Sequence, residues 1–351
     1  MLRQVFRGAA GNPADALVDA GNALAAAGDH AGAIERYERA IALAPDLAVA
    51  HNNRALSLFA VGRMREAWAE YEWRFQMQAG TRRFVAAPPL PRWDGSALSG
   101  ELLVLWEQGL GDIIQHLRLL PPAAARVRGI AFLCPGALVG LARHSFPQVD
   151  VIEARKGEAP AWTRFAAQVP LLSLPHVLGL DLDTLPAQPY LRAPGRVPAV
   201  APADGFRVGI VWRTSGDEPL RDCPLGDMLA LAQGGSRLVS LQFRPNAEEA
   251  EQLARAGVDQ RAGDFLATAD EAMRVHAIVS VDTSMVHLAA ALGRPTFALL
   301  NEPYFVRWTM HGESSPWYPS LRLLRKRATE PWPALIARVA ARLDAMMGRG
   351  R

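Results

Sequence analysis

Small and apolar residues in the first third of the chain follow a helical rhythm, and the rhythm repeats. Gly28 and Gly62, Ala33 and Ala67, and Tyr37 and Tyr71 are each 34 residues apart, the period of tetratricopeptide helix-turn-helix units. In the first unit Gly21, Leu24, Gly28, Ala33, Tyr37, Ala40 and Pro45 stand where such a repeat needs small residues for close helix contact, an aromatic for the gap and a proline stop. The second unit keeps Ala55, Leu58, Gly62, Ala67 and Tyr71 but carries Arg74 in place of the later alanine. The spacing predicts tetratricopeptide repeats over 1–85, with units at 14–47 and 48–81. Two units are fewer than the roughly three that a free-standing array needs, so they lean on the neighbouring domain. Such an array offers a groove for a polypeptide, lined here by Asn22, Asn52, Asn53 and Arg54, while a short extension packed on its neighbour fits the sequence equally well.

After a linker at 86–100, punctuated by Pro88, Pro89, Pro91 and Gly95, the helical rhythm gives way to short apolar runs. ELLVLW at 101–106 reads as a buried parallel strand leading into a glycine loop and a helix, and further strands are expected at 130–134, 149–153 and 168–172. A proline- and alanine-rich stretch at 186–204 precedes a second series: FRVGIVW at 206–212, RLVSLQ at 237–242, AIVSV at 277–281 and TFALL at 296–300. The fold class is therefore α + α/β, with helical repeats followed by two Rossmann-like doubly wound domains at 101–200 and 201–330. A C-terminal helix at 331–351 is expected to pack back across the two halves. Sheets of this kind bind ligands outside the carboxyl ends of their strands, which predicts a cleft between the halves.

Composition narrows the classes. With 351 residues, half of them hydrophobic, a disordered or fibrous chain is excluded. No apolar run reaches the roughly 18 residues of a membrane span, and the N-terminus lacks a signal-peptide pattern, so the expectation is a cytoplasmic protein with no membrane span. Cys134 and Cys223 stand far apart with no CxxC spacing, which argues against a disulfide framework or structural zinc and makes both buried small hydrophobes. The net charge of +3 suggests nucleic acid until it is located. From 321 to 351 eight basic residues face Glu330 and Asp344, which leaves 30 basic against 33 acidic residues in the body, so no nucleic-acid partner is expected.

Three strand ends carry the chemistry. In Glu107-Gln108-Gly109-Leu110-Gly111-Asp112 the two glycines allow a tight turn and close ligand approach, and Asp112 at the helix start is either a general base for a hydroxyl or a helix cap. The spacing is shorter than GxGxxG and lacks a P-loop lysine, which disfavours nicotinamide binding and ATP hydrolysis. In Val281-Asp282-Thr283-Ser284-Met285-Val286-His287 a capped helix start suits a diphosphate, and His287 either donates to a phosphate or sugar or is a satisfied core histidine. After Trp212, residues Arg213, Thr214, Ser215, Gly216 and then Arg221-Asp222-Cys223-Pro224 either bring positive charge to the cleft or form a solvated loop. Asp181-Leu182-Asp183 matches the DxD of metal-dependent transferases only superficially, since it lies in a connecting segment.

Over nearly its whole length the chain resembles bacterial proteins that fuse tetratricopeptide repeats to a glycosyltransferase of the two-Rossmann B fold, related to the lipopolysaccharide heptosyltransferases. The resemblance rests on EQGLGD (107–112), VGIVW (208–212), VSLQ (239–242), SVDTSMVHLAAALGRP (280–295), Arg307-Trp308 and SPWYP (315–319). It implies an acceptor domain at 101–200, a nucleotide-sugar domain at 201–330, and an inverting, metal-independent transfer from a nucleotide sugar to a hydroxyl. Asp112 would be the catalytic base, and Gln242, Asp282, Thr283, Ser284, His287 and Arg221 the donor-binding set. Glu107, Gln108, Gly109, Gly111, Trp212 and Arg213 would line the cleft loops. No cofactor beyond the nucleotide-sugar substrate is implied. The repeats would recruit a protein acceptor, as in family members that glycosylate flagellin or other proteins. A non-catalytic scaffold with a degenerate transferase domain is the alternative, and another enzyme of the fold, such as a nucleotide-sugar epimerase, a third. Departures from the family fall at Arg213-Thr214-Ser215-Gly216, at His276 where an aspartate is usual, and at Ala267-Thr268-Ala269.

Overall fold

The computed structural model describes residues 12–77, 88–156, 158, 160–195, 205–214, 219–302, 306–308 and 312–348. The chain separates into two compact units, one of Met1–Phe132, Pro160–Pro186 and Tyr304–His311, the other of Leu133–Ala159, Ala187–Pro303 and Gly312–Arg351.

The first unit opens with α1 (Pro13–Ala26), α2 (His30–Leu43), α3 (Ala48–Ala60) and α4 (Met64–Tyr71), the last prolonged by a 3-10 turn at Glu72–Gln76. Local chemistry starts the helices: Asn12 accepts the Ala14 N–H at 3.0 Å ahead of Pro13, and Asp29 accepts that of Gly32 at 2.9 Å. Gly28 and Gly62 lie beyond α1 and α3 in the left-handed region (φ 86° and 83°), which is why glycine recurs there. A β-carbon on Gly21 would lie 2.5 Å from the Tyr37 ring, so the helices meet only because that position is bare. Ala33, Tyr37, Ala40 and Ala67 are completely buried. Two helical hairpins, α1–α2 and α3–α4, thus occupy the repeat region, a 3-10 turn holding Arg74 follows α4, and residues 78–81 of the expected second unit lie outside the described residues.

The chain continues with β1 (Leu98–Leu105), α5 (Leu110–His116), α6 (Leu120–Ala124), β2 (Val127–Pro135), α7 (Gly136–Ser145), β3 (Asp150–Ala154), β4 (Phe165–Pro170) and α8 (Leu174–Val177). The strand order is β3-β2-β1-β4. β1 runs parallel to β4, with Leu102 opposite Ala167 and Val104 opposite Val169, and its unbroken run Leu102–Leu105 is buried, as a strand covered on both faces requires.

The second unit is built on β5 (Arg207–Val211), α9 (Leu225–Leu229), β6 (Arg237–Ser240), α10 (Ala247–Arg255), β7 (Asp259–Gln260), α11 (Phe265–Met273), β8 (Ala277–Val281), α12 (Ser284–Ala291), β9 (Thr296–Asn301), β10 (Leu321–Lys326) and α13 (Trp332–Met346). Its strands pair in parallel in the order β10-β9-β8-β5-β6-β7, so the order reverses between β5 and β8. Val208, Ile210, Val279, Val281 and Leu299 share a core with Leu335, Val339 and Leu343 of α13. Gly209 has no room for a side chain, because a β-carbon would sit 2.6 Å from Leu241. Strands β7 and β10 escape the hydrophobic pattern, β7 because it spans two polar residues and β10 because it is an edge strand with Arg322 exposed. No helix among the described residues is long and apolar enough to cross a membrane.

Candidate active site

In the first unit the site grows from the carboxyl end of β1. The tight turn falls on Gln108 (φ 68°) rather than on the glycines: Gly109 is extended at φ −87° and starts α5, and Gly111 lies inside that helix. Asp112 is the third residue of α5, not its cap, and its Oδ2 accepts the Gly109 N–H at 3.3 Å. Its Oδ1 meets the Arg307 guanidinium at 2.6 Å, and Arg307 also donates to Gln115 at 3.3 Å. Asp112 and Arg307 are both buried. The helix-cap reading of Asp112 is therefore corrected: from the third position of α5 one oxygen closes the helix start onto the Gly109 N–H, and the other is held by a cation.

Glu107 does not line a cleft. It is wholly buried, receives the Arg74 guanidinium bidentately (Nε to Oε2 at 3.0 Å, Nη2 to Oε1 at 2.8 Å) and accepts the Leu172 N–H at 3.0 Å. Burial alone would lower the basicity of Arg74, but Glu107 and Glu72 prevail and hold it firmly protonated. Gln108 is buried too, and its Oε1 has no hydrogen-bond partner among the described residues. His116 lies one turn along α5, with Nδ1 2.8 Å from the Asp112 carbonyl, and burial pushes its pKa down to about 4.

The proposed groove residues of the repeats are engaged internally. Asn53 is fully buried and donates to Asn22, which also accepts the Tyr37 hydroxyl, each at 2.9 Å. Asn52 is buried, and Arg54 pairs with Glu38 and Glu70. The face of α3 packs against the Glu72–Gln76 turn and the Val306–Trp308 turn that carries Arg307. Asp181 sits in a turn after α8, near Arg65 at 3.7 Å, and not at a strand end.

In the second unit three strand ends come together around the reversal of strand order. Thr283 caps α12, its hydroxyl accepting the Met285 N–H at 3.2 Å, and Ser284 begins the helix. Arg221 donates to the Asp282 carbonyl at 3.0 Å, which puts its guanidinium at the end of β8. The Gln242 amide spends its groups on backbone: it accepts from Trp212 and Arg213 N–H at 3.2 and 3.0 Å and donates to the Arg213 carbonyl at 3.1 Å, tying the loop after β6 to the loop after β5. Trp212 faces the core instead of a cleft and donates to Glu249 at 2.8 Å, while Arg213 grips the same carboxylate at 2.9 and 3.0 Å. Burial would raise the Glu249 pKa, but Arg213 and Trp212 prevail and hold it below the usual carboxylate range. Sequence reasoning missed Glu249, whose one signal was the Asn246-to-Glu249 capping box. Thr214 is fixed by Asp222 at 2.7 Å, and Ser215 and Gly216 lie outside the described residues.

His287 is buried, with Nδ1 3.0 Å from the Tyr318 hydroxyl, which in turn lies 3.3 Å from that of Tyr190. The SPWYP segment therefore steadies α12. His276 takes up the Arg207 N–H at 2.9 Å, an acceptor role an aspartate can also fill. Both cysteines are free and buried, and burial pushes the Cys134 thiol up to about 12. Among the described residues no group of three or more His, Cys, Asp or Glu is arranged to hold a metal ion.

Residues 21–62 match the family model of the TPR repeat, and residues 264–333 that of glycosyltransferase family 9 (heptosyltransferase). Protein FlbA of Caulobacter vibrioides is 25% identical over 419 residues, an alignment covering 97% of this chain and 69% of FlbA. Among solved structures, the E. coli ADP-heptose lipopolysaccharide heptosyltransferase II is 18% identical with a TM-score of 0.49, covering 71% of this chain and 99% of its own. E. coli heptosyltransferase WaaC with ADP-2-deoxy-2-fluoro heptose is 15% identical with a TM-score of 0.45, covering 68% and 98%. The family 9 relationship supports sugar transfer from a nucleotide sugar. A segment similar to the TPR repeat and a segment similar to glycosyltransferase family 9 (heptosyltransferase) thus stand in one chain, together with two parallel-stranded α/β sheets, and the family 9 segment supports a glycosyltransferase.

Proposed function

We propose that the chain catalyses an inverting, metal-independent transfer of a sugar from a nucleotide diphosphate to a hydroxyl acceptor. The observation that carries this reading is the placing of Asp112: a buried carboxylate in the first turn of α5, oriented through one oxygen by Arg307 at 2.6 Å and through the other by the Gly109 N–H. A carboxylate has about four lone-pair sites and takes several donors at once. The acceptor O–H proton passes to Asp112, the freed oxygen forms a bond to the anomeric carbon, and the bond from that carbon to the diphosphate oxygen breaks with its electron pair on the leaving group. Within the second unit, Arg221 and the N–H groups at the start of α12, beside the Thr283 and Ser284 hydroxyls, offer positive charge suited to a diphosphate. This supplies the positive charge for which DxD transferases use a divalent ion. Gln242 and His287 act at one remove, holding the loops and the helix start. The repeats support a polypeptide acceptor, and the expected setting is cytoplasmic.

A non-catalytic scaffold is the second reading, favoured by one observation: Asp112 and His287 already have partners within the fold. Calorimetric titration with UDP, GDP, ADP, CMP and TDP separates the two. Saturable binding of one nucleotide, weakened about tenfold or more in His287→Ala and unchanged in Asp112→Asn, with turnover lost in Asp112→Asn, is expected of the transferase. A folded protein that binds none of the five is the scaffold.

A further inference from the structure

We propose that Arg74, in the turn that closes the repeat segment, is a positioning residue for Asp112, so that the repeats form part of the catalytic apparatus. The proposal deepens, and rests on, the reading of Asp112 as base. Arg74 stands where the 34-residue pattern calls for alanine, so the repeat itself does not require it. Its guanidinium is buried and fully used: two bonds to Glu107, one to Ser173 Oγ at 2.8 Å, one to the Tyr71 carbonyl at 3.0 Å and one to Glu72 at 2.7 Å. With the Leu172 N–H, Glu107 is fixed by three donors. A buried ion pair of this kind contributes little net stability over apolar residues of the same volume; what it contributes is position.

The position matters because Glu107 adjoins a strained residue. Gln108 is held at φ 68°, a conformation that costs a residue with a β-carbon and persists only where its flanks are fixed. One flank is Glu107. The other is the start of α5, where the Gly109 N–H reaches Asp112. The anchor therefore passes through Gln108 to the base with no slack between.

The repeats back Asp112 from two further directions. The Trp68 ring of α4 stands edge-on to His116 at 5.4 Å, and His116 bonds the Asp112 carbonyl. The turn carrying Arg307 packs on α3. Trp68 and part of α3 are thus committed to the surroundings of one carboxylate.

The test uses the full chain in four forms: Arg74→Met, Arg74→Lys, the double variant Arg74→Met with Glu107→Gln, which leaves no lone buried charge, and Asp112→Asn. Hydrogen exchange is followed across the molecule, affinity for the UDP, GDP and ADP panel is titrated, and turnover is measured with whichever matching nucleotide sugar the wild type consumes. Expected are amides at 107–113 exchanging at least tenfold faster in Arg74→Met and in the double variant, with α1, α2 and β5 to β9 unchanged. Nucleotide affinity should stay within twofold, kcat should fall at least tenfold with little change in KM, and Arg74→Lys should recover part of the loss. Wild-type exchange at 107–113, or exchange raised uniformly through the first unit, overturns the proposal. Asp112→Asn keeps the two readings apart: turnover that survives it refutes the base, while the exchange results still judge the positioning.

Discussion

His116 shows at the scale of one residue how burial converts sequence into pH dependence. Its ring is enclosed beside Trp68, and although Asp112 favours its protonation, burial prevails, helped by Arg118 and Arg307, and brings the pKa from 6.5 to about 4. The folded state therefore refuses a proton that the unfolded chain accepts. The stability tied to neutral His116 is complete above pH 6.5 and is lost as the pH falls toward 4, amounting to about 3 kcal/mol at roughly 1.4 kcal/mol per unit. Melting followed from pH 7 to 4 should show a steeper loss in the wild type than in His116→Gln; parallel curves would refute the assignment. His116 drew no notice in the sequence, because a histidine in an amphipathic stretch carries no mark of its burial. Glu107 was noticed but placed in the cleft, since its motif does not tell which way the side chain turns. Asp112 was legible as a candidate, whereas Arg307, almost two hundred residues away, became its partner only in the fold.

At the scale of elements, the helices of the repeats and most strands were legible because their signals are local. Gly28 and Gly62, one repeat period apart, act within a few residues of themselves. Gly21 differs, since its need for a bare α-carbon comes from the Tyr37 ring one helix away. In an exposed helix Gly→Ala gains about 1 kcal/mol, but here the methyl would overlap the ring, and overpacking costs about 1–3 kcal/mol. Gly21→Ala should therefore lower the denaturant midpoint, and pairing it with Tyr37→Leu should return part of the loss. A stabilised Gly21→Ala would show that α1 and α2 can part without cost. Strands β7 and β10 were illegible for the opposite reason: their pairing with β6 and β9 makes them strands, not their own composition.

At the scale of the whole molecule, the donor reading predicts where ligand stabilisation appears. A nucleotide at 100 times its Kd adds about 2.7 kcal/mol to the state it binds. Exchange should slow at the ends of β5, β6 and β8 and at the start of α12, and stay unchanged in α1 and α2. Protection confined to the repeats would move the nucleotide site out of the second unit.

Periodicity, caps and apolar runs are short-range properties, and so the sequence by itself determined the repeat, the two strand series and the strings at their carboxyl ends. Tertiary structure alone decided what each side chain in those strings does. It turned Glu107 and Trp212 inward, committed Gln242 to the backbone, paired His287 with Tyr318, and brought Arg74 and Arg307 to the two sides of the segment bearing Asp112. The physical reason is that a polar group's role depends on which partners and how little water surround it, and those are supplied by residues distant in the chain.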